Sequence, residues 1–156
     1  MENKNITTLQ DTSLAAVISL TLVIVVVLTG DPLYLGVWYY LVVPSVIVGI
    51  CIAIRPAPMF LTGAATAITT SLLAFMVVNW TAAKPEGLLG LGHIFSLPGG
   101  VLAAIVSAFV ARSTAGAKPV TQFMLGFMGF GLGYFMNQLV VCNTVMWCGL
   151  LSAPVR

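Results

Sequence analysis

Long apolar segments separated by short polar ones dominate the pattern of hydrophobic and polar positions along the chain. Five of these segments approach or reach the roughly 20 apolar residues with which a helix crosses a bilayer. The pattern therefore predicts an all-α fold, a polytopic integral membrane helix bundle with about five transmembrane helices. We expect the spans at about residues 13–29, 33–54, 59–80, 96–111 and 121–141.

A polar N-terminal tail and a short C-terminal tail frame the predicted bundle of residues 13–141. The N-terminal tail covers residues 1–12 and the C-terminal tail covers residues 142–156. A secretory signal begins with a positive region, but here Lys4 is offset by Glu2 and Asp11. We therefore expect the first apolar segment to be retained as a span. Its many Val, Ile and Leu residues suit a lipid-facing position at the periphery.

The composition supports a membrane protein and excludes several other classes. The 156 residues are 60% hydrophobic and 6% charged, against about 45–50% and about 25% in soluble domains. The formal net charge is +2, and no basic cluster indicates a nucleic acid as partner. The expected surroundings are the lipid bilayer, together with a partner membrane protein or further copies in a homo-oligomer.

The most organised segment is the predicted fifth span. Gln122, Gly126, Gly129, Gly133 and Asn137 are spaced so that they share one helical face. Gly129 and Gly133 form a GxxxG pattern, which lets another backbone approach closely. We interpret this face as a packing surface between helices. The alternative is a surface that binds a partner subunit, a lipid or a permeating solute.

Small residues also recur on the predicted fourth span. Gly99, Ala103, Ser107 and Ala111 are each four positions apart, and such a row lets two membrane helices approach closely. We expect this row to pack against the glycine face of the fifth span.

Hydroxyl residues form a row on the third span, where Thr62, Thr66 and Thr70 recur every four positions. Their hydroxyls can bond to backbone carbonyls of their own helix or across an interface. A polar pore lining is the alternative interpretation.

The longest predicted connection is residues 81–95, which includes His93. His93 is the only side chain expected to titrate near neutral pH. We place it at the membrane edge, as a structural residue or as a contact for a proton or ligand. Ser96 is the expected N-cap of the following span, and Pro98 is expected in its first turn.

The distribution of basic residues predicts how the chain is oriented across the membrane, and this orientation decides the surroundings of the cysteines. Basic residues concentrate on cytoplasmic loops, and a cytoplasmic N-terminus places four on the inner side and two on the outer side. This arrangement predicts a cytoplasmic N-terminus, and the expected location is a bacterial inner (plasma) membrane. Cys142 and Cys148 would then lie outside, where they could form a disulfide or remain buried thiols. The inner set is Lys4, Arg55, Arg112 and Lys118, and the outer set is Lys84 and Arg156.

The expected chemistry is defined mainly by what is missing. We expect no acidic, basic or histidine side chain well inside a span, and the sequence contains no paired catalytic groups, metal-ligand set or cofactor motif. We therefore predict no enzyme activity, no cofactor and no metal. The predicted function is a non-catalytic accessory subunit or immunity-type protein that acts through helix–helix contacts. The alternatives are a small channel or transporter for a neutral or small solute, acting alone or as a homo-oligomer, and a holin-like pore former.

Overall fold

The computed structural model describes residues 7–31, 33, 35–81 and 88–145, with only the backbone described at residues 88 and 89. These residues form five helices and no strand. All five helices are long and apolar enough to span a membrane, which confirms the predicted all-α membrane bundle. They are α1 (Thr8–Thr29), α2 (Val37–Ile54), α3 (Phe60–Thr81), α4 (Leu88–Ser113) and α5 (Pro119–Thr144).

Helix α3 is the centre of the bundle, because it packs against each of the other four helices. The starts of α1 and α3 meet where Asp11 contacts Thr62, so these helices run in the same direction. The ends of α2 and α4 meet at the same side of the bundle, where Arg112 contacts Ile54. Helix α1 packs on α2 and α3 only and is the least buried of the five, so it lies at the periphery.

Two helices begin earlier than the hydropathy pattern predicts. Helix α4 begins at Leu88 and α1 begins at Thr8, rather than at residues 96 and 13. His93 and Asp11 therefore lie within helices, His93 as the sixth residue of α4 and Asp11 in the first turn of α1, which corrects the predicted starts of these two helices. Both side chains are polar, so they lower the local hydropathy, but hydrogen bonds inside the bundle allow their burial.

The same shift corrects the prediction for the start of α4. Ser96 is not an N-cap, because it lies inside the helix and its hydroxyl donates to the carbonyl of Gly92 at 2.8 Å. Pro98 also lies inside α4 rather than in its first turn.

Asp11 connects the beginning of α1 to the beginning of α3. A capping box between Thr7 and Gln10 starts α1, and Asp11 follows in the first turn. Its carboxylate accepts hydrogen bonds from the backbone N–H groups of Leu61 at 3.1 Å and Thr62 at 2.9 Å. The Thr62 hydroxyl donates to the same carboxylate at 2.6 Å. A buried side chain of α1 thus satisfies the first N–H groups of α3, which have no partner within their own helix.

Candidate functional site

A group of buried polar side chains lies where α2, α3, α4 and α5 meet. We call it the His93 cluster. The members are Tyr39, Ser71, His93, Ser96, Tyr134 and Gln138.

His93 is fully buried, and both of its ring nitrogens are hydrogen-bonded. Nδ1 lies 2.7 Å from the Tyr39 hydroxyl, and Nε2 lies 3.2 Å from the Ser71 hydroxyl. Ser71 donates its proton to the carbonyl of Ile68 at 2.8 Å, so its oxygen must accept from His93. With the Ser71 proton on the Ile68 carbonyl, the network favours a neutral imidazole that carries its proton on Nε2 and accepts from Tyr39 at Nδ1.

Aromatic rings surround the imidazole. The ring centroids of Tyr134, Phe75 and Tyr39 lie 5.1, 5.2 and 5.9 Å from that of His93. Among the described residues, no carboxylate contacts the imidazole. The surroundings are therefore suited to a neutral polar side chain rather than to an ion.

The rest of the cluster lies one helical turn further along α4 and α5. The single proton of the Ser96 hydroxyl is shared between the Gly92 carbonyl and Oε1 of Gln138, and Nε2 of Gln138 donates to Sγ of Cys142 at 3.2 Å. Tyr134 is 7% exposed, and its hydroxyl has no hydrogen-bond partner in the described part of the chain. Its oxygen is enclosed by the bundle, and Ser96 lies nearby on α4.

The cluster lies at different depths on its helices. Ser71 is ten residues from the end of α3 at Thr81, about 15 Å along the helix, whereas His93 is only five residues, about 7.5 Å, from the start of α4. His93 is therefore buried between the helices, and its place at the membrane edge stays a prediction. The sequence contains a signal for the cluster, because His93 and Ser96 share a face of α4 and Tyr134 and Gln138 share a face of α5.

The glycine face of α5 divides between two neighbouring helices. A Cβ at Gly126 would collide with the backbone of Phe60 and Ala64 on α3. At Gly129 it would collide with the Ser107 side chain on α4, and at Gly133 with Ala103 and the Gly99 carbonyl on the same helix. The first glycine therefore packs on α3, and the other two pack on the small residues of α4.

The two amides of this face bond to the backbone of neighbouring segments. Gln122 is buried, and its Nε2 donates to the carbonyl of Thr114 at 2.6 Å. Asn137 is partly exposed, and its Nδ2 donates to the carbonyl of Phe95 at 2.7 Å. Both amide nitrogens thus help to hold α5 against α4 and against the connection between these helices.

An open apolar groove follows the α4–α5 contact. It consists of two adjoining depressions of about 550 and 420 Å³ that share Ala103, Ser107 and Leu125. We call it the α4–α5 groove. Small residues lie along its floor, and larger apolar side chains form its walls. The floor contains Gly99, Ala103, Ser107, Gly129 and Gly133, and the walls contain Leu102, Val106, Met124, Leu125, Met128 and Leu132.

The threonine row of α3 is used inside the protein. Thr66 and Thr70 donate to the carbonyls of Thr62 and Thr66, both at 2.7 Å, while the hydroxyl of Thr62 bonds to Asp11. These contacts support the interpretation in which the hydroxyls bond to their own helix and to a neighbour, rather than lining a pore.

The cysteines occupy separate places. Cys51 is a buried free thiol in α2, and Cys142 is buried in α5. Cys148 lies outside the described residues, so the disulfide between Cys142 and Cys148 stays a prediction.

No protein-family profile, curated protein or solved structure matches this chain. Within the described ranges, no three His, Cys, Asp or Glu side chains are grouped so that they could hold a metal ion. The features of the described structure that indicate a function are therefore the His93 cluster and the α4–α5 groove.

Proposed function

We propose that this small multipass membrane protein is non-catalytic and acts through helix–helix contacts. In this proposal the α4–α5 groove receives a transmembrane helix of a partner membrane protein. The role is that of an accessory subunit or an immunity-type protein, and a second copy of the chain is the homo-oligomeric form of the same proposal.

The α4–α5 groove is the main structural support for this proposal. Membrane helices associate through small residues that allow close approach. The small residues on the floor pack α4 against α5, but most of them stay partly exposed along the groove, where a third helix can contact them. Met124 and Met128 on one wall are unbranched and flexible, so they can adapt to the side chains of a partner. The floor extends from Gly99 to Ser107 on α4, about 12 Å of helix or roughly two turns.

The carboxylates of the described residues support a non-catalytic role. Asp11 binds the start of α3. Asp31 accepts from the backbone N–H groups of Leu33 and Gly36 and from the hydroxyl of Tyr40. The two aspartates belong to opposite ends of α1, so they do not form a paired-carboxylate acid–base site.

Site-specific photo-crosslinking in intact membranes tests the proposal. A photo-reactive amino acid at Met128, on the groove wall, should yield an adduct with a transmembrane segment of another protein, identified by mass spectrometry. Val46 on α2 is the matched control, because both side chains are exposed on the bundle surface. Adducts with lipid alone, or equal protein adducts from both positions, would contradict the proposal. An adduct with a second copy would support the homo-oligomeric form.

The second candidate is a small channel or transporter for a neutral solute, and the His93 cluster favours it. A neutral imidazole and the Tyr134 hydroxyl lie together inside the bundle, and neutral polar groups can replace part of the hydration of such a solute. Purified protein in liposomes should then release glycerol or urea faster than protein-free liposomes do. Tyr134→Phe removes one hydroxyl and should slow the release about fivefold, which corresponds to one hydrogen bond of about 1 kcal/mol. A rate equal to that of protein-free liposomes would contradict this candidate.

A further inference from the structure

Three basic residues lie at the end of the bundle where α1 begins: Arg55, Arg112 and Lys118. Among the described residues, the only carboxylate at this end is Asp11. It is buried and accepts hydrogen bonds from the start of α3. The described structure therefore contains no carboxylate that neutralises the two arginines.

Arg112 contacts the backbone next to Arg55 at one corner of the bundle. Nη1 of Arg112, near the end of α4, donates to the carbonyl of Ile54 at 3.3 Å. Ile54 is the last residue of α2, and Arg55 follows it directly as the C-cap. The contact places Arg112 beside the backbone that carries Arg55, and each guanidinium retains further N–H donors.

The backbone at this corner is held in place. Arg55 adopts a left-handed conformation with φ of 59°, and its N–H donates to the carbonyl of Ile52 at 3.0 Å. The next two residues, Pro56 and Ala57, are buried, whereas the Arg55 side chain is exposed. A fixed backbone reduces the entropy that binding a ligand would cost.

Exposed apolar side chains lie three residues before each arginine. Ile52 on α2 is 41% exposed, and Phe109 on α4 is 56% exposed. A ligand suited to both parts carries an anionic group beside the arginines and an apolar chain along this surface.

We propose that Arg55 and Arg112 form a binding site for the phosphate of an anionic phospholipid, whose acyl chain lies along Ile52 and Phe109. Guanidinium groups bind phosphate oxygens through paired N–H donors. A phospholipid provides this phosphate and an apolar chain in one molecule, whereas free inorganic phosphate lacks the chain. The site is separate from the α4–α5 groove and independent of its partner.

Native mass spectrometry of the purified protein in mild detergent tests the site. Phosphatidylglycerol should bind more tightly than phosphatidylcholine with the same acyl chains, and inorganic phosphate should not displace it. Equal binding of the two lipids would overturn the proposal. Displacement by inorganic phosphate at the concentration of the lipid would assign the site to a free anion and would overturn it too.

Variants of individual basic residues distinguish lipid binding at this site from general attraction to the positive charge at this end of the bundle. Arg55→Gln should weaken phosphatidylglycerol binding about fivefold, and the double change with Arg112→Gln should weaken it about 25-fold. Lys118→Gln is the matched control, because it removes a charge at the same end but at the N-cap of α5. An equal loss from Lys118→Gln and Arg55→Gln would overturn the site. Arg55→Gln is decisive even if Arg112→Gln destabilises the bundle through the lost contact with Ile54.

Discussion

Gly126→Ala is expected to destabilise the bundle by about 1–3 kcal/mol, the usual range for overpacking. The added Cβ would collide with the carbonyl of Phe60 and lie 2.8 Å from the backbone nitrogen of Ala64. These backbone atoms cannot rotate aside as a side chain can, so α3 and α5 must separate. Lipid provides little hydrophobic driving force to hold them together, since its tails are as apolar as the helices.

Gly131→Ala on the same helix is the matched control, because a Cβ there meets nothing within 4 Å. It should be neutral or stabilising by up to about 1 kcal/mol, since alanine favours the helix over glycine. Both variants can be unfolded in detergent with increasing denaturant and their free energies compared. If Gly126→Ala unfolds no earlier than Gly131→Ala, the close packing of α5 on α3 is wrong.

The second large effect is expected at Asp11, where Asp11→Ala should cost about 2–3 kcal/mol. The substitution removes the acceptor for two backbone N–H groups at the start of α3 and for the Thr62 hydroxyl. Loss of an N-cap costs up to about 2 kcal/mol, and buried donors left without a partner add to this cost. Asp11→Asn keeps one acceptor oxygen and should fall between the wild type and the alanine variant.

Thr12→Ala provides the control for this prediction, because the Thr12 hydroxyl bonds only to the Thr8 carbonyl of its own helix. Unfolding in detergent gives the loss of stability, and hydrogen exchange at the amides of Leu61 and Thr62 locates it. Equal stability of the Asp11→Ala and Thr12→Ala variants, or unchanged exchange at these amides, would show that Asp11 does not cap α3.

The pairing of α4 and α5 illustrates what could be predicted about packing. The small-residue rows on both helices are visible in the sequence, and the structure places Gly133 against Gly99 and Ala103. The small-residue rows do not show that Gly126, on the same face of α5 as Gly133, packs on α3 rather than on α4. The glycine pattern shows where a backbone can approach, but it does not identify which helix approaches.

The candidate site was less predictable than the packing. His93 was visible as a residue of interest, but its full burial against other helices was not. Its partner Tyr39 is 54 positions away in the chain, and Ser71 is 22 positions away. Because no local pattern connects such residues, the enclosure of the imidazole became apparent only when α2, α3, α4 and α5 were assembled.

The sequence by itself determined that this protein is an all-α bundle with five membrane-spanning helices. Hydropathy is a local property, and a long apolar segment satisfies its backbone in a bilayer only as a helix, apart from closed barrels. Only the tertiary structure decided where the polar side chains lie. Asp11 lowers the hydropathy of its own segment, yet it is buried because its partners on α3 come from about 50 positions further along the chain. Burial of a polar group depends on partners from other helices, and their positions are set by packing.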